Sequence, residues 1–342
     1  MNYTSNHIIS ERGVRKKHKN PMCPHDMAFP AMISALKTFM GLPPRIGKLQ
    51  AHGRTWENDL DYFFQMGVSG EGFGLLFDLP HGILKAGLWN GEPLKDCFNA
   101  EGIKYRLVMN TVKTEELVEH INNDLPMIFL YNDNKYLLVM GYEENGQKVR
   151  AYPFSKGNSC KAFDMMKNSR IYDNWTDDLF AVVFIDGLEE PRSRREIVIR
   201  ALERGYQMLI SNGKNTYDYG FGEYMWDTWI SRIENDDNYR RKKDKMRYIN
   251  PEKFDLAERR CYTAAFFTEC EEYLSKNSLQ EAVSAFSQIH DKMWEVHFLV
   301  TGDNDSKLLD HETRMKIVSI LEYCRKLDLK AAENIGHVIG KL

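Results

Sequence analysis

A thiol, an imidazole and a carboxylate occur within four residues near the start of the chain. Cys23, His25 and Asp26 belong to the stretch CPHD, which precedes an apolar run. A cysteine becomes a nucleophile when its thiol pKa is lowered, and a helix N-terminus with a nearby histidine lowers it. Cys23 with His25 is therefore a candidate catalytic pair. In the simpler interpretation the loop only caps the next helix, with Asp26 accepting a backbone N–H.

The apolar run after this loop predicts a helix from Met27 to Met40. Apolar residues recur there at helical spacing, Gly41 supplies a stop, and two prolines follow. The first turn holds Met27 and Ala28 but no cysteine. The position where a helix N-terminus would activate a nucleophile therefore carries no reactive group.

The rest of the first half predicts short helices and an antiparallel sheet. One helix is expected from Glu57 to Phe64 and another from Thr114 to about Asn123. Strands and turns alternate through residues 127–154, with Asn145-Gly146 as a hairpin turn. A further buried strand is expected to end at Asp186.

The composition changes at GLEEPRSRRE, where glycine, proline and charges cluster as in a linker. Beyond it, apolar residues at helical spacing predict helices to the end of the chain. The tryptophans Trp226, Trp229 and Trp294 share that spacing and are expected in the core. We expect an α+β protein in three parts: a polar N-terminal tail (1–22), a domain of helix plus antiparallel sheet (23–188), and an all-α helical domain (192–342).

The bulk composition disfavours several classes of partner. The 342 residues include 46 basic and 49 acidic side chains, whereas a general nucleic-acid binder carries a basic excess. The six cysteines and ten histidines show no zinc-site spacing, so neither a metal nor a cofactor is expected. No run approaches the roughly 18–20 apolar residues of a membrane span. With no secretory signal in view, we expect a cytoplasmic protein with no membrane partner.

The glycine-rich stretch MGVSGEGFG, residues 66–74, fits no nucleotide-binding frame. Its glycines instead predict a tight turn beneath a pocket, where the backbone must be approached closely. The residues expected to line that cleft are Met27, Ala28, Gly67, Ser69, Gly70 and Gly72.

Several stretches resemble the butirosin biosynthesis protein H family. They are AFPAMISALKTFMG, FFQMGVSGEGFGLLF and KYLLVMGYEENGQKVRAYPF, followed by the helical tail. That family has a papain-like N-terminal domain and a helical C-terminal domain, and the N-terminal layout is similar to that of bacteriocin leader peptidases with a papain-like fold. The resemblance covers most of the chain from about residue 23, and it implies a papain-like fold for the N-terminal domain here.

The resemblance also implies where a Cys/His/Asp triad would stand, and all three positions differ from it. Counting 13 residues back from Gly41 gives Ala28 at the nucleophile position. The histidine position before YLLVMGY is Lys135, and the acidic position before the proline of AYPF is Tyr152. Ala28 cannot attack a carbonyl, and Lys135 is a poor base at neutral pH unless it is desolvated. Tyr152 cannot orient an imidazolium as a carboxylate does.

Three functions remain open. The first is a papain-like scaffold without its triad, which binds a peptide, carrier-bound or small-molecule ligand in the former active-site cleft. The second is an acyl or amide transferase of a biosynthetic pathway that aminolyses a thioester, because proximity alone lowers such a barrier. It would use Cys23 with His25, or Lys135 and Tyr152 as proton handlers. The third is a structural protein that forms oligomers, such as a homodimer. An enzyme of this kind would not be a standard cysteine peptidase.

Overall fold

The computed structural model describes residues 6–9, 28–51, 54–74, 92–131, 136–154, 165–211, 222–239, 250–300 and 304–342. The chain divides into two compact units. The first, here called the sheet unit, comprises Met1–Gln65 and Pro80–Ser193. The second, the helical unit, comprises Met66–Leu79 and Arg194–Leu342. The fold is mixed α+β with an antiparallel sheet, as the sequence predicts.

The described strands of the sheet unit form one large antiparallel sheet and a separate hairpin. The large sheet has the order β4-β9-β5-β6-β7-β8, and β1 pairs with β6 beside that path. Its strands are β1 (His7–Ile8), β4 (Ile103–Met109), β5 (Met127–Tyr131), β6 (Tyr136–Glu143), β7 (Lys148–Phe154), β8 (Arg170–Tyr172) and β9 (Leu179–Leu188). The hairpin joins β2 (Ile46–Ala51) to β3 (Arg54–Asp59). The central strands read as nearly continuous apolar runs because they are buried along almost their whole length.

The described helices of this unit are short, and those that begin at Ala28 and Thr114 match predicted helices. The described helices are α1 (Ala28–Phe39), α2 (Leu60–Val68), α3 (Glu92–Glu101), α4 (Thr114–Asn122) and α5 (Met165–Asn168). The predicted helix after Thr114 is confirmed. The predicted hairpin is confirmed too, because Asn145 and Gly146 have φ values of 55° and 87°. Such positive values suit asparagine and glycine and let β6 reverse into β7.

Two local expectations are wrong. The helix predicted from Glu57 begins at Leu60, because residues 57–59 pair with β2 as the end of β3. Residues 6–9 are not a loose tail: His7 and Ile8 pair with Tyr142 and Gly141 of β6, and Ile9 is buried. Gly141 permits this approach, since a Cβ there would lie 2.6 Å from the His7 carbonyl oxygen.

The described helices of the helical unit pack against one another to form its core. The helices are α6 (Arg194–Ile210), α7 (Gly222–Glu234), α8 (Asn250–Cys270), α9 (Gln280–Val300) and α10 (His311–Ile339). Helix α9 packs against both α8 and α10, and α10 also contacts α6 and α7. Trp226 and Trp229 lie in this core with stacked rings, as predicted. Within the described ranges, no helix combines the length and apolar character that a membrane crossing requires.

Candidate functional site

The start of α1 lies against the two strands that the resemblance associates with catalysis. Helix α1 contacts both β6 and β7. The ring of Phe29, in the first turn, lies 6.3 Å from the ring of Tyr136, the first residue of β6. Ala28 precedes Phe29 and is partly exposed. The helix start therefore lies beside β6, and Ala28 stands at the position where the resemblance implies a nucleophile.

Tyr152 lies on the face of the sheet that α1 covers. It pairs with Leu138 in the antiparallel register of β6 and β7, while Phe154 pairs with Tyr136. Paired residues of antiparallel strands point to the same face, so these side chains share the layer reached by Phe29. Tyr152 is only 2% exposed, and its ring lies 4.9 Å from that of Phe154. Its surroundings are those of a core aromatic residue.

Four of the predicted site residues lie outside the described residues: Cys23, His25, Met27 and Lys135. The Cys23–His25 pair and the lysine at the histidine position therefore stay predictions. The described cysteines are Cys97, Cys261, Cys270 and Cys324, and all four are buried and outside any disulfide. Burial raises the thiol pKa of both Cys270 and Cys324, which is the opposite of what a nucleophile needs.

A buried ion network joins α1 to α2 and α3, and sequence reasoning did not find it. The Lys37 ammonium lies 2.6 Å from Asp61 Oδ1 and 2.8 Å from Glu101 Oε2. Arg45 donates from its backbone N–H and from Nε to Asp61, and Gln65 donates to Glu101. Two cations thus balance two carboxylates. The sequence does contain one sign of this network. Lys37 stands four residues after Ile33, on the apolar face of the helix, and a lysine on that face indicates a buried charge that needs partners.

The glycine-rich segment, residues 66–74, belongs to the helical unit. All nine residues are buried. A Cβ on Gly67 would lie 2.2 Å from the Phe266 ring, and a Cβ on Gly72 would lie 1.6 Å from Thr263 Oγ1. The predicted tight turn with close backbone approach is confirmed, and α8 makes that approach. The cleft-lining role expected of Gly67, Ser69, Gly70 and Gly72 stays a prediction.

Arginine side chains hold the same segment through its backbone carbonyls. Arg204 donates to the carbonyl of Val68, and Arg260 donates to that of Gly72. Arg259 donates to both the carbonyl and the carboxylate of Glu71. The Ser69 hydroxyl accepts the backbone N–H of Glu71 at 3.2 Å, which fixes the turn. Of these carbonyls, that of Val68 belongs to the last turn of α2, where a helix leaves carbonyls without helical partners.

Arg260 also joins the segment to the C-terminal helix. Its guanidinium donates twice to Asp328, at 2.9 and 2.7 Å, and Trp226 Nε1 donates to the same carboxylate at 3.0 Å. Burial raises the pKa of Asp328, and the Arg260 charge opposes that shift. In the described ranges, no group of three or more His, Cys, Asp or Glu side chains is arranged to hold a metal ion.

No protein-family model and no curated protein matches this chain. The family resemblance therefore rests on the quoted motifs alone.

Proposed function

We propose that this chain is a papain-like scaffold without a Cys/His/Asp triad, which binds a peptide, carrier-bound or small-molecule ligand in the former active-site cleft. The observation that carries the proposal is the contact of α1 with both β6 and β7, with Ala28 at the start of the helix. In this proposal, α1, β6 and β7 form the framework of a cysteine hydrolase, and the Ala28 methyl group replaces its nucleophile.

The chemistry of the three triad positions supports binding over turnover. A thiol at a helix N-terminus is activated because the helix dipole and nearby N–H groups stabilise the thiolate. Ala28 has no group to activate. Tyr152 is buried and carries a phenol instead of a carboxylate, so it does not stabilise an imidazolium as an aspartate does. A cleft that keeps its walls but lacks these groups can still hold a ligand by apolar contact and backbone hydrogen bonds.

A thermal-shift experiment with a matched control variant tests the proposal. The probes are N-acetylated dipeptide amides and pantetheine, the latter standing for a carrier-protein arm. Because a ligand that binds only the folded state stabilises it, at least one probe should raise the melting temperature of the unmodified protein. Ala28→Trp should abolish that rise by filling the cleft. Glu115→Trp, at an exposed position in the first turn of α4, should keep it.

Two outcomes would contradict the proposal. One is the absence of any shift across the panel, or an equal shift in the Ala28→Trp variant. The other is acyl transfer from a thioester donor to an amine that is lost in Cys23→Ser. Rapid alkylation of Cys23 by iodoacetamide at neutral pH would support that transferase, because it reports a lowered thiol pKa.

A further inference from the structure

We propose that one exposed face of the helical unit binds a second copy of this chain. The face, here called the groove face, lies between α9 and α10 and surrounds an open groove of about 540 Å³. The residues that line the groove are Glu295, Phe298, Leu299, Lys316, Ser319 and Ile320.

The groove face exposes large apolar side chains that the core of the helical unit does not bury. Helix α9 already buries one side, including Phe286, Ile289 and Met293. On another side Trp294 is 38% exposed and Phe298 is 69% exposed. Trp294 is therefore not core filler, contrary to the prediction from its spacing. Contiguous exposed apolar residues with a polar rim are typical of a protein interaction site.

Aromatic side chains next to the groove contact one another along α9, and Phe298 of the groove is one of them. The Trp294 indole N–H donates to His290 Nε2 at 3.0 Å. The same indole ring lies 5.2 Å from His297 and 6.3 Å from Phe298. Pre-ordered side chains lose less entropy on binding, so more of the burial energy is available to stabilise a complex.

The charges along the groove favour a second copy as the occupant. Glu295 lies on the α9 wall, 2.6 Å from Lys292, and Lys316 lies on the α10 wall, 2.9 Å from Glu312. Such exposed pairs within one helix contribute little, so both charges can exchange partners when a second copy binds. A twofold axis parallel to the groove places α9 of each copy over α10 of the other. Rotation about this axis leaves the position of each residue along the groove unchanged. Glu295 of one copy then meets Lys316 of the other, and symmetry makes the contact twice. The same axis sets each Phe298 against the opposite groove.

The size of the face also suits a dimer. Helix α9 has 21 residues and is roughly 31 Å long at 1.5 Å per residue. Two adjacent helices are about 20 Å wide, so the face has a projected area of roughly 600 Å². The solvent-accessible area of this face is larger than its projected area. It is therefore close to the roughly 800 Å² that each partner buries in a specific interface. A membrane surface or nucleic acid would need a basic excess, which opposed Glu295 and Lys316 do not supply.

Sedimentation velocity of the full chain tests the proposal over a series of protein concentrations. We expect the unmodified protein to reach the mass of two chains and Phe298→Asp to remain at the mass of one. Met109→Asp is the control, because Met109 is an exposed apolar residue of the sheet unit, 42% exposed. It should dimerise normally. Circular dichroism and the melting temperature should show that all three proteins are folded.

A charge exchange separates this geometry from dimers formed elsewhere. Glu295→Lys and Lys316→Glu should each weaken dimerisation by roughly tenfold, since like charges then face each other. The double variant should recover most of the lost affinity. An unmodified protein that stays monomeric overturns the proposal, as does a dimer that survives Phe298→Asp or a double variant as weak as the single ones. None of these results bears on ligand binding at Ala28.

Discussion

At the scale of single residues, Lys37 illustrates how a buried charge is tolerated. Its ammonium touches two buried carboxylates, Asp61 and Glu101, and is itself only 4% exposed. Such a pair adds little over an apolar replacement of all its members, whereas removal of one partner leaves an uncompensated charge in the interior. The network therefore constrains which single substitutions the first helix accepts.

We expect Lys37→Met to lower the free energy of unfolding by about 3–5 kcal/mol, because buried Glu101 loses its cation and buried Asp61 keeps only Arg45. Urea unfolding followed by circular dichroism measures this. Lys330→Met is the control: that side chain is 57% exposed beside Glu281, and such surface pairs contribute about 0–1 kcal/mol. Adding Glu101→Gln to Lys37→Met should recover part of the loss. A double variant less stable than Lys37→Met alone would refute the electrostatic account.

A second residue-scale prediction concerns His120. Burial lowers the pKa of His120, although its hydrogen bond to the Pro126 carbonyl opposes the shift. The folded state therefore resists protonation, while the unfolded state takes up a proton as the pH falls below about 6.5. The contribution of His120 to stability is full above that pH and is lost progressively below it.

The melting temperature should accordingly fall between about pH 7.5 and about pH 5.5, the range in which histidine titrates. His120→Gln keeps an N–H donor for the Pro126 carbonyl but does not titrate. Its melting temperature should fall less over the same range. If the two proteins show the same pH dependence, His120 is not the group responsible.

At the scale of elements, the glycine-rich segment is shaped by the helices that pack on it. Gly72 leaves room for Thr263, and Gly67 leaves room for Phe266. Three arginines bind the carbonyls between and beside these positions. A turn that the sequence marks only as glycine-rich is therefore part of the packing of α8.

Gly72→Ala should destabilise the protein by about 1–3 kcal/mol, because the added methyl group overlaps Thr263 and the core must shift. Gly340→Ala serves as the control. Its Cβ would meet its first neighbour at 3.4 Å, and it lies at the exposed end of α10 with φ of −65°. That variant should be close to neutral in thermal unfolding. Equal effects of the two changes would argue against close packing as the reason for Gly72.

At the scale of the whole molecule, the two units do not follow the linear order of the chain. The helical unit takes residues 66–79 from the first half and adds them to residues 194–342. Its buried Arg259 and Arg260 find partners in that early segment, on Glu71 and Gly72. Buried arginines without such acceptors would be costly, so the unit needs the segment to be complete.

A fragment of residues 194–342 should therefore lack a cooperative unfolding transition in calorimetry. The same fragment with residues 66–79 attached through a flexible linker should regain one. A matched fragment with a scrambled 66–79 sequence controls for the added length. A cooperative transition in the bare fragment, at the melting temperature of the extended one, would show that the segment is dispensable.

Local sequence patterns were enough to predict the α+β class and several of its elements. Apolar periodicity predicts α1 and α4 because a helix or strand must turn one face inward, and Asn145-Gly146 predicts its hairpin because few residues accept positive φ. Only the tertiary structure decided that Lys37 meets Asp61 and Glu101, since those partners lie far apart in the chain. It likewise decided that Trp294 is exposed, because periodicity shows that a face is apolar but not what covers it.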